Sequence, residues 1–363
     1  MLYLTYKTTH PAENQQLSFE DIFNEALILQ NVNTPYTKTI SITATTQLAP
    51  TTRSWLEHQS RLLITRYSER VAALSKEDMQ PDYTTYRIPK SNGGTRIINE
   101  PNAALKQLLA ELKADFEQRT LAHTAAYAYI KGRTTMMCCA RHTKAKHKWW
   151  LKLDFHDFFG SCTEEFQLKQ LVKIPFFYYW PTQTLKNFIH VWSLNNGLPQ
   201  GTPLSPWLTN QIMLPIDFNI TKWCEQHNIV YTRYADDMQF SFDNKEQAKH
   251  IIARVQQEIK DTPLTLNKEK TKVSSVCGQN WVLGMMCNKD FKAQIGHKKK
   301  DQFRAALYQF NKDFAAGQRW TREEAMNLLG LIAYYREIER EWVDATLDKY
   351  TDVRKNLIQT IKL

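Results

Sequence analysis

Long apolar runs are missing from this chain of 363 residues. Its most apolar stretch, Phe176-Phe177-Tyr178-Tyr179-Trp180, is far short of the roughly 20 residues a membrane-crossing helix needs. No membrane is therefore expected as a partner. The N-terminus lacks a basic segment leading into an apolar one, so no secretory signal is expected. The six cysteines (Cys138, Cys139, Cys162, Cys224, Cys277, Cys287) include no Cys-x-x-Cys pair. With no framework spacing either, they point to a reduced, cytoplasmic protein, and a chain this long can bury a large core without staples. Cys138 and Cys139 with His142 lack the spacing of paired zinc ligands, and packed free thiols account for them. Internal repeats and long linkers are absent as well.

Acidic residues are the next shortage. Lys and Arg number 47 against 37 Asp and Glu, a surplus of +10 with a pI near 9.1. From Lys131 to Leu153 there are seven bases and no acid. From Thr265 to Arg304 there are nine bases against three acids. A clustered surplus favours a nucleic-acid partner, with a solvated basic face as the plain alternative. Apolar residues make up 42% and charged residues 23%, as in ordinary globular proteins, which excludes disorder and collagen-like order. The length suits about two to three domains.

Residues 1–80 read as a helical N-terminal extension. Ser18-Phe19-Glu20-Asp21 resembles a helix start. Thr51 to Leu74 offers a second helix with Trp55, Leu62, Leu63 and Ala72 as core positions. Tyr86 to Ile98, alternating around Asn92-Gly93-Gly94, predicts a β-hairpin with a tight turn, and a helix follows from Ala103 to about Arg119. Trp149 to Phe155 predicts a strand with Leu151, Leu153 and Phe155 on one face and Lys152 and Asp154 on the other. Ser161-Cys162-Thr163-Glu164 has the form of a capping box opening a helix towards Val172. Ile229 to Phe242 predicts two strands around a turn at Ala235-Asp236-Asp237. A helix with Ala248, Ile251, Ile252, Val255 and Ile259 on one face comes next, capped by Asp243 or Asn244. Val282 to Cys287 predicts one short strand. After Gly296 the pattern is helical, with a capping box at Thr321-Arg322-Glu323-Glu324 and Leu328, Leu331, Ile332 and Tyr335 on one face.

Three segments carry chemistry. Asp154 ends a hydrophobic strand. Gly197-Leu198-Pro199-Gln200-Gly201 is a punctuated loop, and Ser205-Pro206 leads into a helix from about Trp207, whose first backbone amides suit a phosphate. Asp236 and Asp237 form a carboxylate pair between apolar strands. Two such charges repel each other, and a divalent cation with hard oxygen ligands relieves that repulsion. An exposed Asp-Asp turn is the plain alternative. If Asp154 lies beside the pair, two Mg²⁺ ions roughly 3.5–4 Å apart are accommodated, as in a phosphoryl transfer.

Together these segments resemble the palm motifs of reverse transcriptases: Asp154 the first, Leu198-Pro199-Gln200-Gly201-Thr202-Pro203-Leu204-Ser205-Pro206 the second, Tyr234-Ala235-Asp236-Asp237 the third. They stand in the right order, about 45 and 35 residues apart. The hairpin at Lys90 to Ile98 resembles the fingers motif. Lys131-Gly132-Arg133-Thr134 resembles the basic segment before the catalytic strand. Leu266 to Lys272 resembles the fourth palm motif, and Val282-Leu283-Gly284 the primer grip. The resemblance covers roughly Tyr86 to the C-terminus.

It implies an α/β right-hand polymerase: fingers over 81–148, with 160–200 contributing; a palm of antiparallel sheet and helices over 149–290; and a helical basic thumb over 291–363. It implies RNA-directed DNA synthesis with two Mg²⁺ ions, Mn²⁺ being a substitute. Asp154 and Asp236 would be the main ligands, Asp237 supporting and the Phe155 carbonyl completing the shell. Phe159 would be the steric gate against a ribose 2′-hydroxyl. Gln200 would contact the incoming nucleotide, and Lys90 and Arg96 its triphosphate. Lys270 would donate a proton to pyrophosphate. Leu283 and Gly284 would grip the primer, while Lys131, Arg133, Lys298, Lys299, Lys300 and Arg304 would bind the nucleic-acid backbone. Tyr127, Tyr129, Trp149 and Trp150 are stacking candidates, with core packing as the alternative.

Among relatives, the C-terminal half resembles bacterial retron-type enzymes. Two departures stand out: Val282-Leu283-Gly284 replaces Val-Thr-Gly, and Cys139-Ala140-Arg141-His142 replaces Asn-Ala-x-x-His. Defence-associated bacterial enzymes fit at least as well. The implied partners are an RNA template or noncoding RNA, dNTPs and the DNA product; a partner protein or a homo-oligomer stays open. An RNA-dependent RNA polymerase and a non-catalytic RNA-binding protein on a polymerase fold are the alternatives. Phe159 and the Leu-Pro-Gln-Gly loop speak against the first, and intact Asp154, Asp236, Asp237 and Gln200 against the second.

Overall fold

A computed structural model describes residues 50–74, 83–89, 93–277, 280–287, 290–350 and 352–362. The expected helix start at Ser18 and the loop residue Lys90 lie outside the described residues. In chain order the elements begin with helix α1 (Pro50–Leu74), hairpin strands β1 (Tyr83–Pro89) and β2 (Thr95–Pro101), α2 (Ala103–Glu117), α3 (Thr135–Ala145) and β3 (Trp149–Asp154). Four helices follow, α4 (Phe158–Ser161), α5 (Glu164–Leu171), α6 (Pro175–Tyr178) and α7 (Thr182–Trp192), and then the long α8 (Ser205–Gln226). Strands β4 (Val230–Tyr234) and β5 (Asp237–Phe242) precede α9 (Gln247–Ile259) and β6 (Lys272–Ser275). Three short strands, β7 (Asn280–Val282), β8 (Met285–Cys287) and β9 (Ala293–Gln294), lead to α10 (His297–Ala315), α11 (Arg322–Leu347) and α12 (Val353–Lys362). The central sheet has the order β4-β5-β3-β6, and smaller sheets are β1-β2 and β7-β8-β9. This is the mixed helix-and-sheet make-up of a right-hand polymerase. Among the described residues no helix is long and apolar enough to cross a membrane.

The chain divides into two compact units. One contains the described residues up to 132 together with 152–238 and 249–271. In it, α1 buries Leu56, Ser60, Leu63, Tyr67 and Val71, one residue per helical turn on a single face. This corrects the expected stripe: Leu62 is 50% exposed and Ala72 is exposed, because neighbouring α6 and α7 cover the other face. Asp115 of α2 draws α1 in, accepting from Tyr67 Oη at 2.5 Å and Arg66 Nη1 at 3.0 Å. The apolar stretch at 176–180 is core. Phe116 meets Phe176, Phe177 and Trp192 edge-on and stacks on Trp207 at 5.1 Å. Removing such a ring costs about 3–5 kcal/mol. The β1-β2 pair is antiparallel, its register running from Tyr83↔Pro101 to Pro89↔Thr95; the expected tight turn lies partly outside the described residues.

The other unit contains residues 133–151, 239–248 and the described part of 272–363. Phe303, Leu307 and Phe310 of α10 pack with Leu328, Ile332, Tyr335 and Val343 of α11 and Leu357 of α12. The capping box at Thr321 forms: its hydroxyl accepts from Glu324 N, and Glu324 Oε2 accepts from Thr321 N. The box expected at Ser161 does not. Thr163 is the cap of α5, accepting from Phe166 N at 3.3 Å, while Ser161 closes α4. The strand expected over Val282–Cys287 is a hairpin, with Leu283 (φ 49°) and Gly284 (φ 82°) at its turn. A third feature of this unit is a break in α11 at Glu339, which is non-helical (φ −136°, ψ 72°). Glu339 accepts from Ile295 N at 2.6 Å and from Lys300 Nζ at 2.8 Å.

Candidate active site

Alternation along β3 buries Leu151 and Leu153 and carries Lys152 and Asp154 on the opposite side. Asp154 is only 3% exposed. The next residue ties this strand end to the β4–β5 turn, Phe155 N donating to Asp236 O at 3.3 Å. The segment after α9 lies against the same end. Asn267 N donates to Asp154 O at 2.8 Å, His156 N to Thr265 O at 2.9 Å, and Phe155 pairs with Leu266. The Asn267 side chain then accepts from the amides of Glu269 and Lys270, folding a local turn that delivers Lys270.

Three carboxylates and two ammonium groups meet here. Lys270 Nζ lies 2.7 Å from Asp154 Oδ1, and Lys152 Nζ lies 2.7 Å from Asp237 Oδ1. Burial pushes the Asp236 carboxyl above the usual carboxylate range, and the charge of Asp154 adds to it. Burial also raises Asp237, against the opposing pull of Lys152. The hydrogen bond to Asp154 holds Lys270 in its charged form. The three carboxylates supply hard oxygen donors of the kind a divalent cation prefers, and they outnumber the two ammonium groups beside them. Among the described residues no group of three or more His, Cys, Asp or Glu side chains is gathered as it would be around a bound metal. Asp154 and Asp237 are each engaged by a lysine instead.

The loop before α8 is shaped by close approaches. Leu198 N donates to Phe159 O at 3.0 Å, and a Cβ at Gly197 would lie 2.7 Å from Gly160 O. Asn99 N donates to Gln200 O at 2.6 Å, which links the loop to β2 of the hairpin. Thr202 Oγ1 accepts from Ser205 N at 3.1 Å, and α8 begins at Ser205, two residues earlier than expected. Phe158 is 3% exposed and stacks on Phe155, whereas its neighbour Phe159 is only half-buried. Phe158 is thus core, and Phe159 meets it edge-on from a more open position. Gln200 is half-buried and Arg96 exposed.

The expected nucleic-acid contacts are scattered in character. Lys131 and Lys298 are exposed, and Arg133 is half-buried. Lys299 donates to Gly284 O at 2.8 Å, so the Leu283–Gly284 turn and α10 are joined. Lys300 is paired with Glu339 and lies 4.7 Å from the Trp342 ring centre; Arg304 pairs with Asp301. Of the stacking candidates, Tyr127 and Trp150 are buried, Trp149 lies under Lys245, and Tyr129 is 45% exposed. Cys138, Cys139 and His142 are core: His142 Nδ1 lies 3.0 Å from Ser241 Oγ and Cys139 Sγ 3.2 Å from Cys287 Sγ. Sequence reasoning missed Lys152 as a partner of Asp237, although its place beside Asp154 in the alternation was the available signal. It also missed the Asn99–Gln200 link, which has no local signal.

The family described as "Reverse transcriptase (RNA-dependent DNA polymerase)" matches residues 88–332, two-thirds of the chain. The chain is 26% identical over 299 residues to the Retron Ec83 reverse transcriptase of Escherichia coli, covering 77% of this chain and 89% of that one. It is 27% identical over 286 residues to the Retron Ec73 reverse transcriptase of the same species, covering 76% and 87%. A solved telomerase from Candida albicans is similar at a TM-score of 0.48 and 9% identity, covering 84% of this chain and 62% of that one. The family match decides against the RNA-copying RNA polymerase and the non-catalytic binder. The chain belongs to the reverse transcriptase family, as a retron-like bacterial RNA-directed DNA polymerase.

Proposed function

We propose that synthesis runs at the Asp154–Asp236–Asp237 cluster with two Mg²⁺ ions, Asp154 and Asp236 as main ligands, Asp237 in support and the Phe155 carbonyl completing the shell. The bound ions supply charge stabilisation to the attacking and leaving oxygens. The chain's own groups do the rest. Gln200, held through its carbonyl by Asn99, positions the incoming dNTP. Arg96 on the hairpin, with Lys90, meets the triphosphate, and the half-buried Phe159 ring fills the space a 2′-hydroxyl would need. Lys270 carries at Nζ the proton that the leaving pyrophosphate takes up. Fingers (81–148, with 160–200), palm (149–290) and thumb (291–363) are the divisions this reading assigns.

The observation that supports it is the bond from Phe155 N to Asp236 O at 3.3 Å, which sets the strand end carrying Asp154 beside the turn carrying Asp236 and Asp237. Asp236→Asn tests it. Extension of a DNA primer on RNA should fall by at least 10³-fold while RNA binding changes less than threefold; persistent extension would remove the metal role.

The biological setting proposed is antiphage defence with a noncoding RNA as template, in the cytoplasm. The retron reverse transcriptases among its relatives support this reading. Sequencing the nucleic acid that copurifies with the protein, and challenging cells carrying it with phage, are the tests. A product without a fixed template would refute the noncoding-RNA assignment.

A further inference from the structure

One fully buried ion pair stands behind the Asp236 turn. Arg233 of β4 and Asp217 of α8 are both 0% exposed. The guanidinium donates from all three of its nitrogens. Nε donates to Asp217 Oδ1 at 2.9 Å and Oδ2 at 3.1 Å; Nη2 donates to Asp217 Oδ2 at 2.6 Å and Asn210 Oδ1 at 3.1 Å. Nη1 donates to the carbonyl of Ala235 at 3.0 Å. Asp217 Oδ1 also accepts from Tyr231 Oη at 2.7 Å. The strand beneath is fixed too, with Arg233 N donating to Ala125 O at 2.7 Å and Tyr127 N to Arg233 O at 2.8 Å.

A buried ion pair contributes little net stability compared with apolar packing, so its use here calls for a positional reason. Ala235 supplies one. Its φ is +57°, while Asp236 is not among the positive-φ residues. A turn with positive φ at its first central residue alone is ordinarily occupied by glycine there. Alanine in that place needs an external hold, and the bond from Arg233 is directed at its carbonyl, the peptide unit that leads into Asp236. A lysine could not grip a carboxylate as a fork and reach a second acceptor in another direction.

We propose that Arg233, oriented by Asp217, is the positioning residue of the catalytic turn: it holds the Ala235–Asp236 peptide and so sets where the Asp236 carboxylate is presented. This rests on the metal-binding role proposed above for Asp236.

The test uses the full chain and three readouts: kcat and KM for dNTP on a primed RNA template, Mn²⁺ binding to the protein by titration calorimetry, and thermal unfolding. Arg233→Lys should lower kcat about 10- to 100-fold, change KM less than threefold, and weaken Mn²⁺ binding about tenfold in a folded protein. Adding Ala235→Gly should recover most of both losses, because glycine adopts the positive φ unaided. Should Arg233→Lys not fold, Asp217→Asn, which keeps the shape of the side chain, carries the same expectation and the same rescue. Normal kcat and Mn²⁺ affinity in Arg233→Lys overturn the proposal. So does a folded variant that Ala235→Gly fails to rescue, or misfolding of both variants that Ala235→Gly does not relieve. Asp236→Asn is the separating control. If that variant keeps Mn²⁺ binding and extension, the metal role fails, while the rescue of kcat by Ala235→Gly still judges Arg233.

Discussion

Gly201→Ala perturbs the contact between the Gln200 loop and the hairpin at one atom. Gly201 has φ +121°, a backbone region that L side chains rarely adopt. A Cβ there would lie 2.7 Å from Asn99 O and 2.8 Å from Ile98 Cγ2. The first of these is main chain and cannot swing aside, because the same residue's amide holds Gln200 O at 2.6 Å. Backbone strain costs about 1–3 kcal/mol, and overpacking adds about 1–3 kcal/mol. The expected loss is about 2–6 kcal/mol, or a fall of roughly 4–24 °C in melting temperature at 2–4 °C per kcal/mol. Gly93→Ala separates the two causes. Gly93 has φ +80° with nothing within 4 Å of its would-be Cβ, so only strain of about 1–2 kcal/mol applies. Thermal scans of both variants and KM for dNTP are the assays, with KM rising at least tenfold in Gly201→Ala alone. Equal melting temperatures for the two variants, with KM unchanged, would refute the reasoning.

Other expectations follow from single contacts. Phe159→Val should raise ribonucleotide incorporation at least tenfold in a primer-extension competition; unchanged selectivity would take Phe159 out of the gate. Lys298→Ala should reduce the slope of log affinity for template–primer against log salt by about 1. Lys300→Ala should leave that slope nearly unchanged and lower the melting temperature instead, since Lys300 is 15% exposed and paired with Glu339. Burial holds the His142 pKa down at about 3, against 6.5 when unfolded. The unfolded chain therefore binds one more proton between those values, and stability is full above pH 6.5 and lost as pH falls towards 3. The loss is about 1.4 kcal/mol by pH 5.5, and unfolding titrations of His142→Asn should lack it; an identical pH slope would refute this.

What the sequence disclosed about the site was whatever has a local signature. Alternation gave the strand ending in Asp154, two carboxylates between apolar runs gave the Asp236 turn, and Pro and Gly marked the loop at Gln200. Features made by partners distant in the chain were hidden. Asn99 and Gln200 meet through backbone atoms, which carry no residue code, and Asp217 and Arg233 sit 16 positions apart on a helix and a strand. Where two patterns compete locally, packing decides. The apolar run Val282–Cys287 reads as one strand until Leu283 takes a positive φ beside Gly284. Likewise α1 admits two apolar stripes, and its neighbours select the one through Leu56 and Tyr67 rather than Leu62.

The break in α11 has a mechanical meaning. At Glu339 a 26-residue rod becomes two levers meeting at a pinned joint. The pin is a single carboxylate that grips the main chain at Ile295 on one oxygen and Lys300 on the other. Because the Ile295 amide is main chain, the grip fixes the backbone just before α10 rather than a flexible side chain. Phe303 of α10 lies against Tyr335 before the break and Trp342 after it, so a polar clamp and an apolar one together fix the start of α10 to both halves of α11.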